Sequence, residues 1–281
     1  MRLLLGDAHE LIRELTDGSV DAIITDPPYG VFRGADAHLD TPQRPELWQE
    51  CYRVAKRDAW LATFAQMPSL SEQHQQIIEA GWRYVKHVVW LKRTQTPAPS
   101  GLHRSHESIL LYRKGKARLY DKTAPYWDTK IPLLGVGGVD IESVRRAFAE
   151  LYYAIKHGKY RLKATTDALH QVHQRFKAAH NPINFEVCNV GNVWSFLSPR
   201  CHAKPRRYHP TEKPLPLMER LVRLLTCEGQ VVLDPFLGSG TTAVACARLG
   251  RQCIGFEHNA EYLQVAQERV REAVLEAFDK L

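Results

Sequence analysis

The 281-residue chain contains no apolar run approaching the ~18 consecutive residues that a membrane span requires. At its start only Leu3-Leu4-Leu5 precedes Asp7 and Glu10, so no signal peptide is expected. The six cysteines include no Cys-x-x-Cys pair. In a chain without an export signal they are expected to be reduced thiols, which places the protein in a cytoplasm. His170, His173 and His180, with Cys201-His202 nearby, fit no standard zinc spacing, and no metal centre is expected. No internal repeat is visible. With 17 Gly, 16 Pro and 25% charged residues, the composition excludes collagen-like and wholly disordered classes.

What the chain does have is an uneven charge. The net charge is +7, yet residues 81–208 hold 23 Lys+Arg against 8 Asp+Glu, a local +15. The remainder carries 15 against 23. A basic middle between acidic flanks suits a polyanion, and nucleic acid is the expected partner.

Strand and helix signals alternate along both flanks. Val20 to Thr25 is a β-rich run that ends in Asp26-Pro27-Pro28-Tyr29-Gly30, where neither strand nor helix can continue. A polar stretch, Val31 to Pro45, is expected to be a mobile loop. Glu46–Arg57 and Leu70–Ala80 read as helices; Ala59–Phe64, Tyr84–Leu91 and Ser108–Tyr112 read as strands. After the middle the rhythm resumes, with helices at Leu215–Leu225, Thr241–Leu249 and Ala260–Phe278 and strands at Gln230–Leu233 and Gln252–Phe256. Such alternation predicts a Rossmann-like α/β fold, a parallel sheet with helices on both faces. Residues 1–112 and 208–281 then form the main domain. Residues 113–207 form a basic insertion, with helices expected at Ile141–His157 and Ala164–Ala179.

Two segments carry chemistry. Leu233-Asp234-Pro235-Phe236-Leu237-Gly238-Ser239-Gly240-Thr241-Thr242 runs from a strand through a glycine-rich turn into a helix, and the next strand ends in Glu257. Backbone N–H groups of such a turn approach a ligand closely, and the acidic residue about twenty positions on suits ribose hydroxyls. The third glycine of the dinucleotide pattern is missing, and Pro235 and Phe236 leave little room for a pyrophosphate. A ligand with a ribose and no phosphate fits better. In the second segment, proline holds Asp26 extended. A carboxylate, the Pro27 carbonyl and the Tyr29 ring then stand within four residues, able to accept hydrogens from an amino group and stack on its ring.

Together these segments resemble the amino-group DNA methyltransferases that use S-adenosylmethionine, of the permuted (beta) class in which Asp-Pro-Pro-Tyr precedes the glycine-rich motif. Gly6-Asp7-Ala8, His106-Glu107-Ser108, Gly191-Asn192-Val193-Trp194 and His209-Pro210-Thr211-Glu212-Lys213-Pro214 match the family in place and type. The resemblance implies a seven-stranded, mostly parallel sheet with a reversed last strand, and a target-recognition region in the insertion. It implies that Asp26, Pro27, Pro28 and Tyr29 are catalytic. It also implies that Asp7, Ala8, Asp26, Thr211, Lys213, Asp234, Phe236, Gly238, Ser239, Gly240, Thr241 and Glu257 surround S-adenosylmethionine. Phe236 would cover the adenine of the cofactor, and Glu257 would accept from its ribose. Lys204, Arg206 and Arg207 are the candidates for phosphate contacts on double-stranded DNA.

In this family Asp-Pro-Pro-Tyr usually accompanies adenine-N6 methylation, by base flipping and in-line transfer. The alternatives are a cytosine-N4 enzyme, a DNA-binding specificity subunit without turnover, and a cofactor-binding oxidoreductase, which the incomplete glycine pattern disfavours. Similar enzymes often pair, which makes a homodimer an expectation. Whether a restriction enzyme accompanies the protein is a matter of genome context.

Overall fold

The structure, a computed structural model, describes residues 1–30, 43–92, 106–121, 193–196 and 211–278. The chain divides into two compact units, Met1–Ala124 with Gly191–Leu281, and Pro125–Val190. The second unit lies outside the described residues, as do the helices expected within it and residues 31–42 of the loop expected over Val31 to Pro45.

In chain order the first unit contains β1 (Arg2–Leu5), α1 (Ala8–Leu11) with a 3-10 turn over Ile12–Glu14, β2 (Val20–Thr25), α2 (Pro45–Val54) and β3 (Ala55–Ala65). Then come α3 (Leu70–Glu79), β4 (Arg83–Lys92), β5 (His106–Arg113) and β6 (Val193–Phe196). The described chain closes with α4 (Leu215–Leu225), β7 (Val231–Asp234), α5 (Thr241–Arg248), β8 (Gln252–Glu257) and α6 (Ala260–Phe278). The strands make one sheet in the order β1-β8-β7-β2-β3-β5-β4-β6. All ladders are parallel except those that β5 makes with β3 and β4. The one reversed strand is therefore fifth in chain order, set between β3 and β4, and the short β6 adds an eighth strand beyond the expected seven.

Burial explains the assignment of strands. Five of the six residues of β2 are buried, the signature of a central strand covered on both faces. Side chains alternate along it: Ile23 joins Leu61 in a cluster with Ile12, Leu47, Trp48, Cys51, Val54 and Ile77, so α1, α2 and α3 cover this face. The other face is covered by α4 and α5, which pack together over β2, β7 and β8, and by α6, which packs beside α5 over β8 and β1. Their buried residues include Leu217, Leu221, Leu225, Val244 and Ala245. Pro45 opens α2 at a position where a missing N–H costs nothing.

The first unit extends past the expected boundary at Tyr112. The Trp60 indole donates to Arg118 O at 2.8 Å, and Lys114 Nζ donates to Tyr52 O and Ala55 O, both at 2.8 Å. The Trp90 indole donates to Phe196 O at 3.1 Å, binding β6 to the sheet edge. Five of the six tryptophans fall among the described residues, and all five are core residues at 3% exposure or less.

Candidate active site

The chain order of the sheet reverses between β7 and β2. β7 leads through α5 to β8 on one side, and β2 leads through α2 to β3 on the other. In open α/β sheets the crevice at the carboxyl end of such a switch point is where ligands bind. Both chemistry-bearing segments emerge there, the glycine-rich turn from β7 and Asp-Pro-Pro-Tyr from β2. Glu257 ends β8 beside them, and Gly6 N donates to Glu257 O at 2.9 Å, which brings Asp7 and Ala8 to the same edge. Asp7 is exposed and caps α1 by accepting from His9 N at 2.8 Å, while Ala8 is buried.

The glycine-rich turn is tightly determined. Asp234 is buried and accepts from Phe236 N at 3.1 Å and from the Thr242 hydroxyl at 2.5 Å, which folds the turn back on its strand. Burial pushes the Asp234 carboxyl up to about 6 against these hydrogen bonds. Gly238 N donates to Glu257 Oε2 at 2.8 Å, and Asn259 N to Glu257 Oε1 at 2.9 Å. Gly240 has φ +83°, and a Cβ there would stand 2.6 Å from the Ala266 Cβ, so the turn rests flush on α6 and accepts only glycine. Phe236 is half-buried against the cluster that contains Ala8.

Ser239 and Thr241 turn their side chains to α6. Arg269 Nη1 donates to Ser239 O at 2.7 Å and Ser239 Oγ at 2.9 Å, and reaches Thr241 Oγ1 at 3.4 Å. Its Nη2 pairs with Glu212 Oε1 at 2.9 Å, with both side chains largely buried. Arg269 thereby ties the glycine-rich turn to the Thr211-Glu212-Lys213 segment. It was not legible as a site residue, because an arginine on an amphipathic helix has the same spacing as a solvated one.

Asp26 stands on the other side of the switch point. The Tyr29 hydroxyl donates to Asp26 Oδ1, and the Lys213 ammonium pairs with Asp26 Oδ2. Lys213 is 8% exposed and lies 4.9 Å from the Phe64 ring centroid. Glu107 of β5 approaches the same ammonium at 3.6 Å and is itself paired with Lys92. Burial raises the Asp26 carboxyl above its ordinary range; Lys213 opposes the shift and the Glu107 charge adds to it. Burial pushes Glu107 in the same direction, but Lys213 and Lys92 more than offset it and hold this carboxyl low. The Lys213 ammonium is raised, since Asp26 and Glu107 outweigh its burial.

The structure thus brings Asp26, Pro27, Pro28, Tyr29 and Lys213 to one side of the crevice. Phe236, Gly238 and Glu257 stand on the other, with Asp234, Ser239 and Thr241 bonded behind the turn and Gly240 packed on α6. Thr211 joins them through its carbonyl, 3.5 Å from Lys213 Nζ. Lys204, Arg206 and Arg207 lie outside the described residues. Besides Arg269, two features were missed: Glu107 as a partner of Lys213, which only the antiparallel insertion of β5 brings near, and the Tyr29 hydroxyl as a donor to Asp26. No group of three or more potential metal ligands occurs among the described residues, and none of their helices is long and apolar enough to cross a membrane.

A family model described as DNA methylase, the N6/N4 methyltransferase family, matches residues 20–268, and the chain belongs to this family. It is similar to type II methyltransferase M.HpaI of Haemophilus parainfluenzae, 27% identical over the whole of this chain and 77% of that protein. It is also similar to the DNA adenine methyltransferase YhdJ of Escherichia coli K12, 25% identical over 95% of this chain and 82% of that one. Among solved structures, the M1.HpyAVI–SAM complex shares the fold at a TM-score of 0.60 and 22% identity, covering 96% of this chain and 98% of that one.

Proposed function

We propose that this DNA methylase transfers a methyl group from S-adenosylmethionine to the exocyclic N6 amino group of adenine in double-stranded DNA. The observation that carries the reading is the adjacency of Asp26-Pro27-Pro28-Tyr29 and the glycine-rich turn across one switch point of the sheet. The adenine relative and the SAM-bound neighbour support it.

The residues fit the cofactor. Each Glu257 oxygen takes one backbone N–H and keeps a lone pair, enough to accept from ribose hydroxyls. The Phe236 ring is half-buried at the crevice, available to an adenine face. Ala8 and Asp7 stand on the same edge. Asp234 acts behind the turn rather than on the ligand. When bound, S-adenosylmethionine supplies a methyl carbon on a positively charged sulfur.

The target base must leave the duplex to reach the crevice, and the Tyr29 ring face suits stacking beneath it. The amino lone pair is delocalised into the base ring. Acceptance of N–H hydrogens by Asp26 and the Pro27 carbonyl favours a tetrahedral nitrogen whose lone pair points at the methyl carbon. With S-adenosylmethionine held by the glycine-rich turn, Phe236 and Glu257, the methyl transfer it would supply would leave a positive charge on the nitrogen that Asp26 holds. That nitrogen then sheds a proton toward Asp26, whose raised carboxyl suits a transient acceptor. Positioning supplies much of the rate. The basic middle, with Lys204, Arg206 and Arg207, is read as the DNA-facing part.

Cytosine-N4 methylation is the second reading, favoured by a family that spans both amino chemistries. Nucleoside mass spectrometry of DNA treated with protein and cofactor tests both. N6-methyladenine is expected, and N4-methylcytosine would replace the base assignment. Asp26→Ala is expected to cost about 10²–10³-fold in rate or more, since it removes the acceptor aimed at the reacting nitrogen.

A further inference from the structure

In the free protein both oxygens of the catalytic carboxylate are occupied. Tyr29 holds Oδ1 and the Lys213 ammonium holds Oδ2. An incoming amino group that needs Asp26 as acceptor must share the carboxylate with these donors. The lysine is the obstructive one. It is a cation, and methyl transfer moves a positive charge onto the nitrogen that Asp26 is to hold. An ammonium left on Asp26 would stand against that charge at the moment it develops.

Lys213 has little water to retreat into, being 8% exposed. It has one other anion. Glu107 Oε2 lies 3.6 Å from its Nζ, is shielded from solvent, and accepts no hydrogen bond, while Lys92 holds Oε1 of the same carboxylate. A shift of less than about 1 Å would bring Nζ within charge-assisted hydrogen-bond distance of Oε2, and further movement in the same direction releases Asp26. The Phe64 ring borders the ammonium, and its face tolerates a cation in either position. The four groups Asp26, Glu107, Lys213 and Lys92 carry two negative and two positive charges. Transfer of Lys213 from one carboxylate to the other keeps the cluster neutral overall, and the charge that develops on the amino nitrogen pairs Asp26 again.

We propose that Glu107 is a positioning residue that takes Lys213 from Asp26 when the target amino group arrives. The inference rests on the methyl-transfer reading above. It gives β5, the one reversed strand, a task at the site: its insertion beside β3 carries the second carboxylate to the lysine.

The test is single-turnover methyl transfer at saturating DNA and cofactor, with cofactor affinity measured by calorimetry. In Glu107→Gln the lysine loses its alternative anion and stays on Asp26. The methyl-transfer step is expected to slow about tenfold, within the range for coupled members of one ion network, with cofactor affinity near wild type. Glu107→Asp, which keeps the charge, recovers part of the rate. The double variant Glu107→Gln, Lys213→Gln is expected to be faster than Glu107→Gln alone, because the obstructing cation is gone. A wild-type rate in Glu107→Gln overturns the proposal. So does a double variant slower than both single ones, the pattern of two residues that merely hold structure. Should Glu107→Gln lose stability, the comparison of Glu107→Asp with the double variant still decides. Failure of the underlying reading is seen separately, as wild-type protein that methylates no DNA.

Discussion

On the β7 side of the switch point, the glycine-rich turn is held by hydrogen bonds whose donors and acceptors are matched. Asp234 accepts from Phe236 N and Thr242, Glu257 accepts from Gly238 N and Asn259 N, and Arg269 donates to Ser239. On the β2 side, Asp26 is held by a movable cation and a tyrosine hydroxyl, with a second carboxylate close by. The first arrangement suits a ligand that is bound the same way each time, since a preorganised turn has no ordering to do. The second suits a group whose partners must change during the reaction. Rigid binding and exchangeable catalysis thus sit on adjacent strands of one sheet.

The contrast can be broken most severely at Arg269. Arg269→Ala removes the link between the turn and Glu212, a largely buried ion pair, together with the donors to Ser239. Stability is expected to fall by about 3–5 kcal/mol, measured by denaturant unfolding, together with cofactor affinity. A loss of DNA methylation with stability and cofactor affinity intact would move Arg269 to the catalytic side.

Asp234 sharpens the comparison through pH. Its folded carboxyl is raised to about 6, above the unfolded value of about 3.9, so the folded protein binds the proton more tightly. The stability this confers is full below the unfolded value and is lost as pH rises through about 6, by about 2–3 kcal/mol. Asp234→Asn, which resembles the protonated form, should flatten the stability profile across that window. An unchanged slope would mean that the turn tolerates the charge.

Tyr29→Phe should have the smallest effect and the most selective. It removes one donor from the half-buried Asp26, about 1 kcal/mol or several-fold in the methyl-transfer rate, with cofactor affinity unchanged. Tyr29→Ala should cost about 1–3 kcal/mol more through the lost ring face. Equal rates in Phe and wild type would confine the residue to stacking.

The local elements were legible because their signals are local. The helices over Leu215–Leu225 and Ala260–Phe278 fall at the residues their periodicity predicts, β8 ends at Glu257 and β2 ends one residue before Asp26. β1 and β6, at four residues each, were not read as strands; a run that short makes no pattern until a neighbouring strand pairs with it. The strand expected at Ala59 begins at Ala55, because β3 follows α2 without a loop and its polar start, Lys56-Arg57-Asp58, masks the pattern.

What the sequence by itself determined are the chemical groups and their order: a carboxylate before two prolines and a tyrosine, a glycine-rich turn after a buried strand, and an acid closing the next strand. Covalent neighbours impose these, through fixed φ at proline, positive φ at glycine and alternating burial along a strand. Tertiary structure alone decided which charges meet. Lys213 lies 187 positions from Asp26 in the chain, and Glu107 and Arg269 join the site through an antiparallel strand and a closing helix. A side chain's electrostatic partner is set by strand order and packing, and those depend on contacts whose separation along the chain leaves no periodic trace.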